Sequence, residues 1–294
     1  MINQRDNHED VRTQGGAPGV LYLCATPIGN LEDMTYRAVR ILGEVPLIAA
    51  EDTRHTRQLL THFDIHTKLT SYHEHNKVEK GPELIAWLLE GNDLACVSDA
   101  GLPGIADPGS MLAKQAIEEG IRVVPLPGAN AALSALICSG LDTMRFSFVG
   151  FLPRTKQKRR ERLDEVKLHL ETLLFYEAPH HLKGTLSELL AVLGDRRAVL
   201  ARELTKKFEE FARGTLSSLQ PETSGIEPRG EYVIVVEGAS EEMQEGAATT
   251  ATPAELVEKY MAAGQNKKEA MRSAAQDLGI SRRDVYQALL GENE

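Results

Sequence analysis

The chain has 294 residues, 42% of them hydrophobic and 26% charged, which is enough apolar material for two packed domains and an appendage. No apolar run approaches the roughly 20 residues that a membrane-spanning helix needs. The formal net charge of −10 argues against a protein that coats nucleic acid, while leaving room for a local basic patch.

Residues 1–19 are polar and carry no apolar periodicity, so they predict a disordered tail. From 20 onward strands and helices alternate. A strand at 20–24 opens into Thr26-Pro27-Ile28-Gly29-Asn30, and 31–42 reads as a helix with Met34, Ala38, Ile41 and Leu42 on one face. A strand at 47–50 ends in Glu51-Asp52-Thr53-Arg54, and a helix at 56–63 follows. The strand at 69–72 ends in His73-Glu74-His75-Asn76, and the next helix spans 83–90. Leu94-Ala95-Cys96-Val97 is a buried strand that empties into 98–109, a loop of three glycines, two prolines and the carboxylates Asp99 and Asp107. The glycines let a ligand approach the backbone, and the prolines set the loop's shape beforehand. A helix at 109–119, a strand at 123–126 ending in Pro127-Gly128-Ala129-Asn130, and a helix at 131–139 complete this half. Such alternation predicts a mostly parallel sheet covered on both faces, with a cleft where the polar residues collect at strand ends.

After Gly150 the character changes. Arg154, Lys156, Lys158, Arg159, Arg160 and Arg162 crowd six cations into nine positions. Strands at 173–176, 198–201, 208–215 and 230–237, with a helix at 182–193 and a helical turn at 216–219, predict a second α/β unit. The apolar centre of 230–237 predicts a strand buried on both faces. An acidic, Gly- and Thr-rich stretch at 240–252 reads as a linker. Three short helices follow, starting at Pro253, covering 265–278, and starting after Ser281, and they resemble a helix-turn-helix. The expected organisation is a tail at 1–19, α/β lobes at 20–150 and 151–239, a linker at 240–252 and a helical unit at 253–294. Cys24, Cys96 and Cys138 lie far apart in apolar stretches, which predicts buried free thiols in a reducing cytoplasm rather than a disulfide or metal site.

The segments at 26–30, 98–109 and 126–130 converge on one site, and none is a Walker loop or a spaced dinucleotide fingerprint. Together they resemble the tetrapyrrole methylase family, S-adenosylmethionine-dependent methyltransferases built from two α/β lobes with the cofactor between them. The segments at 26–35, 50–54, 71–76, 175–180, 201–206 and 230–233 resemble the branch of that family that methylates small-subunit ribosomal RNA. The resemblance implies transfer to the ribose 2′-oxygen of a cytidine in the decoding region, acting on the RNA or the assembled subunit, and a homodimer. Carried over by motif, it implies cofactor contacts at Pro27, Gly29, Asp99, Gly101, Ile105, Ala129, Asn130, Ala131, Tyr176, Glu177, Ala201, Gly230 and Glu231.

A ribose hydroxyl is a weak acid, so a base or charged orienting group belongs at the site. Lys206, Glu177 and His73 are the leading candidates, with His75, Asp52 and Arg54 beside them. Glu51, Asp52 and Arg54 also read as a salt-bridged helix start, and Arg202 and Lys206 as internal partners of Glu203 or Glu177, so the sequence singles out no base. His73 and His75 have no evident third metal ligand, and methyl transfer needs no metal. The 154–162 run is the expected phosphate contact, with Lys267, Lys268, Arg282 and Arg283 as a second. Two other readings stay open: a tetrapyrrole C-methyltransferase of the precorrin or uroporphyrinogen type, and a DNA-binding regulator.

Overall fold

The computed structural model describes residues 17–244 and 252–291. The expected tail at 1–19 and linker at 240–252 lie for the most part outside them. Five short strands, β1 (Val20–Cys24), β2 (Leu47–Ala50), β3 (Lys68–Ser71), β4 (Leu94–Val97) and β5 (Arg122–Leu126), pair in parallel in the order β3-β2-β4-β1-β5. Every residue of β2 and β4 is buried, because helices cover both faces of a parallel sheet. Alternate residues feed two cores: Ile48 packs with Leu42 and Leu60 on one face, and Ala49 with Leu84 and Leu112 on the other. After β1 the chain moves to β2 and β3. After β4, inserted beside β1, it moves the opposite way to β5. The loops leaving β1 and β4 therefore diverge, and a crevice opens at their carboxyl ends.

Local chemistry corrects several helix boundaries. The helix expected at 31–42 is interrupted. Asn30 caps a single 3-10 turn (Leu31–Asp33), and Thr35 restarts the chain as α1 (Tyr36–Glu44) by accepting the Ala38 N–H at 3.1 Å. Asp52 caps α2 (Thr53–His62), so that helix begins three residues early. Helix α3 (Lys77–Leu89) runs through Pro82 rather than starting after it. Helices α4 (Gly109–Glu118) and α5 (Ala131–Ser139) follow, and the Asn130 carboxamide caps α5 by accepting the Leu133 N–H at 2.8 Å.

The second sheet comprises β6 (Phe146–Phe151), β7 (Thr172–Glu177), β8 (Arg197–Arg202), β9 (Glu210–Thr215) and β10 (Tyr232–Val236), in the order β6-β7-β10-β8-β9. Only β6 and β7 are parallel. Strand β10 is central and fully buried, the placement its apolar run predicts. Helices α6 (Lys156–Val166) and α7 (Leu182–Leu193) pack on one face around Phe175, Leu186 and Leu189; a short α8 (Pro221–Ser224) precedes β10.

Strand β6 was not expected, and the expected boundary between 150 and 151 passes through it. Helix α5, assigned by sequence to the first lobe, packs Ala132, Ala135 and Leu136 against Leu174, Val199 and Val235 of the second sheet. That one-sided packing also corrects a cysteine. Cys24 and Cys96 are buried, but Cys138 is exposed on the open side of α5 with Leu133 and Ile137.

Helices α9 (Pro253–Ala262), α10 (Lys267–Asp277) and α11 (Arg282–Gly291) share a core of Leu256, Val257, Ala270, Met271, Ala274 and Val285. Reciprocal capping boxes, Thr252 with Glu255 and Asn266 with Glu269, start the first two. Ser281 and Asp284 do the same for the third.

Candidate active site

Parallel pairing brings the exits of β4, β1 and β5 side by side. Thr26 and Gly101 exchange backbone hydrogen bonds of 2.9 and 3.1 Å, and the Thr26 hydroxyl donates to the Ser98 carbonyl at 3.1 Å. Gly128 lies against Ala25 so closely that a Cβ would sit 2.7 Å from the Ala25 Cβ. Within the loop, the Asp107 carboxylate accepts the N–H groups of Gly104 at 2.8 Å and Gly109 at 2.7 Å. Gly101 holds φ at +81°, and a Cβ there would stand 3.4 Å from the Ala129 carbonyl oxygen. The loop is thus a fixed surface before any ligand arrives.

In the second sheet the carboxyl ends of β6, β7 and β8 and the amino end of β10 lie along one edge, which faces these exits. A cleft of about 370 Å³ separates the two, a volume suited to a small-molecule ligand. One wall carries Glu51, Asp99 and Asp107; the other joins an apolar patch of Tyr176, Ala201, Leu204 and Val233 to the charged Glu203, Lys206 and Glu231. Burial first, then the carboxylates of Asp99 and Asp107, holds Glu51 above its ordinary value, although His73 pulls the other way. Burial likewise raises Asp107, against the opposing N–H groups of Gly104 and Gly109. This wall favours a cation.

Of the residues expected at the cofactor, Asp99, Gly101, Ile105, Asn130, Ala131, Tyr176, Glu177, Ala201 and Glu231 line the cleft. Pro27, Gly29, Ala129 and Gly230 do not. Gly29 and Ala129 stand behind the lining, against Lys206 and Gly101, and Gly230 backs the Glu203 side chain. Sequence reasoning missed Glu51, Phe151, Glu203 and Leu204. Glu51 and Glu203 are the first residues beyond β2 and β8, and Asp99 is the second beyond β4; a carboxylate at a strand exit is the signal that could have marked them.

The base candidates separate by their bonds. Glu177 is buried, and its carboxylate is taken by the Thr185 hydroxyl and the Ala178 N–H. Lys206 donates to Glu203 and Glu231, at 2.9 Å each. Desolvation works against its charge, but these two bonds outweigh it and hold Lys206 above the usual lysine range. It is a fixed cation, not a proton acceptor near neutrality. His73 lies outside the lining, its backbone N–H bonded to Asn76 at 2.8 Å, and its ring centroid is 6.0 Å from that of His75. Asp52 and Arg54 also lie outside it and pair with each other, which holds Asp52 down to about 2.

The basic run divides as well. Arg159 pairs with Glu188, Arg160 with Asp164 and Arg162 with Glu165, so these three of the six expected phosphate contacts are engaged within the protein. Among the described residues Arg154, Lys156 and Lys158 have no carboxylate partner.

The model of the tetrapyrrole (corrin/porphyrin) methylases matches residues 20–220. A protein of Halalkalibacterium halodurans called ribosomal RNA small subunit methyltransferase I is 53% identical over 270 residues, spanning 91% of this chain and 93% of that one. Its Bacillus subtilis counterpart of the same name is 50% identical over 92% of this chain and 94% of its own. The solved structure of the methyltransferase CobJ superposes with a TM-score of 0.56 at 20% identity, over 75% of this chain and 95% of that one, which is a likeness of fold.

Proposed function

The chain belongs to the tetrapyrrole (corrin/porphyrin) methylases, and from that premise we propose that it transfers a methyl group from S-adenosylmethionine to small-subunit ribosomal RNA. The finer reading is transfer to the ribose 2′-oxygen of a cytidine in the decoding region. The observation that carries the ribosomal acceptor is the similarity to the two bacterial rRNA methyltransferases, which extends over nine-tenths of both chains.

The cleft fits the cofactor. Its acidic wall, Glu51, Asp99 and Asp107, suits the sulfonium and ammonium charges, and the wall of Ala201, Leu204 and Val233 suits an adenine. S-adenosylmethionine, when bound, supplies a methyl group activated by the sulfonium. The protein's part is to hold the acceptor oxygen and that methyl in line at about 3–3.5 Å. The preset loop at 98–109 and the Glu203–Lys206–Glu231 network fix the two sides of the cleft without reorganisation. Lys206 supplies a permanent positive charge, which favours a developing alkoxide at the acceptor.

A homodimer in the cytoplasm completes the reading. The exposed Leu133 and Ile137, one turn apart on α5, support an apolar contact face. No helix among the described residues is long and apolar enough to cross a membrane. The test offers labelled S-adenosylmethionine with small ribosomal subunits, naked RNA and uroporphyrinogen. Label in RNA or subunits is expected. Label in the porphyrinogen alone sinks the reading.

A further inference from the structure

Phe151 ends β6 and is 61% exposed, yet it lines the cleft. Among the described residues, the only exposed large apolar side chains that do so are Phe151 and Ile105, one from each side. The ring is not loose. Tyr176 meets it edge-on at 5.5 Å between centroids, and Phe148 holds Tyr176 in the same way at 5.0 Å. An exposed aromatic side chain, braced by Tyr176, therefore stands at the cleft.

The three unpaired cations, Arg154, Lys156 and Lys158, follow within seven residues, in a chain whose net charge is −10. Lys156 and Lys158 sit in the first turn of α6, which contains no acidic residue. The helix dipole opposes cations there, and an anion relieves both. An open aromatic ring beside free cations is the equipment of a single-stranded nucleic-acid site: the ring takes a base and the cations take the neighbouring phosphates. The buried wall of Ala201, Leu204 and Val233 matches a cofactor adenine better than this exposed ring does. Only an acceptor too large to enter whole must bind at the rim.

Resting on the ribosomal reading above, we infer that Phe151 is the platform on which the acceptor nucleotide's base stacks once it swings out of its helix, while Arg154, Lys156 and Lys158 hold the flanking phosphates. Swinging the nucleotide out is what brings a ribose oxygen into a cleft that a duplex cannot enter.

The experiment uses the full chain and small ribosomal subunits with three variants, F151A, F151L and F151W. It reads KM for subunits, kcat, and S-adenosylmethionine affinity by calorimetry. Phe151→Ala is expected to raise KM about tenfold, in keeping with the loss of one stacked base. Phe151→Leu, which keeps apolar bulk without a π face, should do the same, and Phe151→Trp should restore KM. Cofactor affinity should stay within about twofold throughout. An unchanged KM in Phe151→Ala, or a matching loss of cofactor affinity, overturns the stacking role. Failure of the unaltered chain to label RNA overturns the ribosomal reading instead.

Discussion

Gly29 packs its bare Cα against the aliphatic stem of Lys206: a Cβ at residue 29 would lie 2.3 Å from the Lys206 Cγ, with the backbone at φ +153°. The turn after β1 and the ion-paired lysine of the second lobe are thereby keyed together. Gly29→Ala should strain the turn and push Lys206 off Glu203 and Glu231, at a cost of about 1–3 kcal/mol. The check is a urea midpoint together with cofactor affinity, and both should fall. A variant as stable and as tight-binding as the parent would show that the two lobes are not coupled here.

The Lys206 network carries a pH signature. Desolvation opposes the Lys206 charge, but its bonds to Glu231 and Glu203 prevail, so its contribution is whole below the ordinary lysine value of 10.5 and is lost as pH rises through the higher folded value. Glu203 also suffers desolvation, yet the Glu231 N–H and Lys206 hold it below 4.5; its contribution is whole above 4.5 and is lost as pH falls through the lower folded value. Solvent reaches these groups, so each pair is worth roughly 0.2–1 kcal/mol. Lys206→Met should lower stability by about 1 kcal/mol at neutral pH and remove most of the alkaline fall. Urea titrations across pH read both.

The acidic wall gives the sign opposite to that of Glu203. Burial and neighbouring carboxylates raise Glu51, and burial raises Asp107, so the ligand-free fold loses stability as pH climbs past 4.5 and 3.8 through the raised values. A bound cation reverses that penalty. Cofactor affinity should therefore tighten as pH rises through the raised Glu51 and Asp107 values, with release of protons, and Glu51→Gln should flatten the trend. Asp99→Asn sharpens the test. The Asp99 carboxylate accepts the Asp52 N–H at 2.9 Å, which an amide oxygen can still do. The substitution should cost cofactor affinity about tenfold with little change in melting temperature.

The division of the basic run predicts a contrast. Neutralising Arg154, Lys156 and Lys158 together should weaken subunit binding and reduce its logarithmic salt slope by about 2. Neutralising Arg160 and Arg162, which are engaged with Asp164 and Glu165, should leave that slope unchanged. Filter binding over a salt series measures both, and equal effects from the two sets would contradict the division.

Much of this was legible in the sequence because local chemistry and tertiary packing agree there. Leu94-Ala95-Cys96-Val97 is apolar throughout and is the buried strand it suggests; Asn130 and Thr252 cap the helices they precede. Phe146–Phe151 escaped because it is an edge strand, partly exposed, with a register shift between Phe148 and Gly150. Pro82 reads as a helix stop, yet it sits within α3. Glu51 looked like part of an ion-paired helix start. It is Asp52 that takes Arg54 and caps α2, which leaves Glu51 to the cleft. Which of the two adjacent carboxylates turns inward is decided by where α2 starts, so the strand-exit position marks the pair and the capping bond separates them.

The central claim is a methyl group on a ribose oxygen of small-subunit RNA, and alkali reads it directly. A free 2′-hydroxyl is needed for base-catalysed cleavage of the neighbouring phosphodiester, so a 2′-O-methyl protects that one bond. Subunits labelled from methyl-labelled S-adenosylmethionine by the full chain should give their label in a single alkali-resistant dinucleotide that begins with cytidine. Label in an alkali-released mononucleotide, as a base methyl would give, contradicts the account.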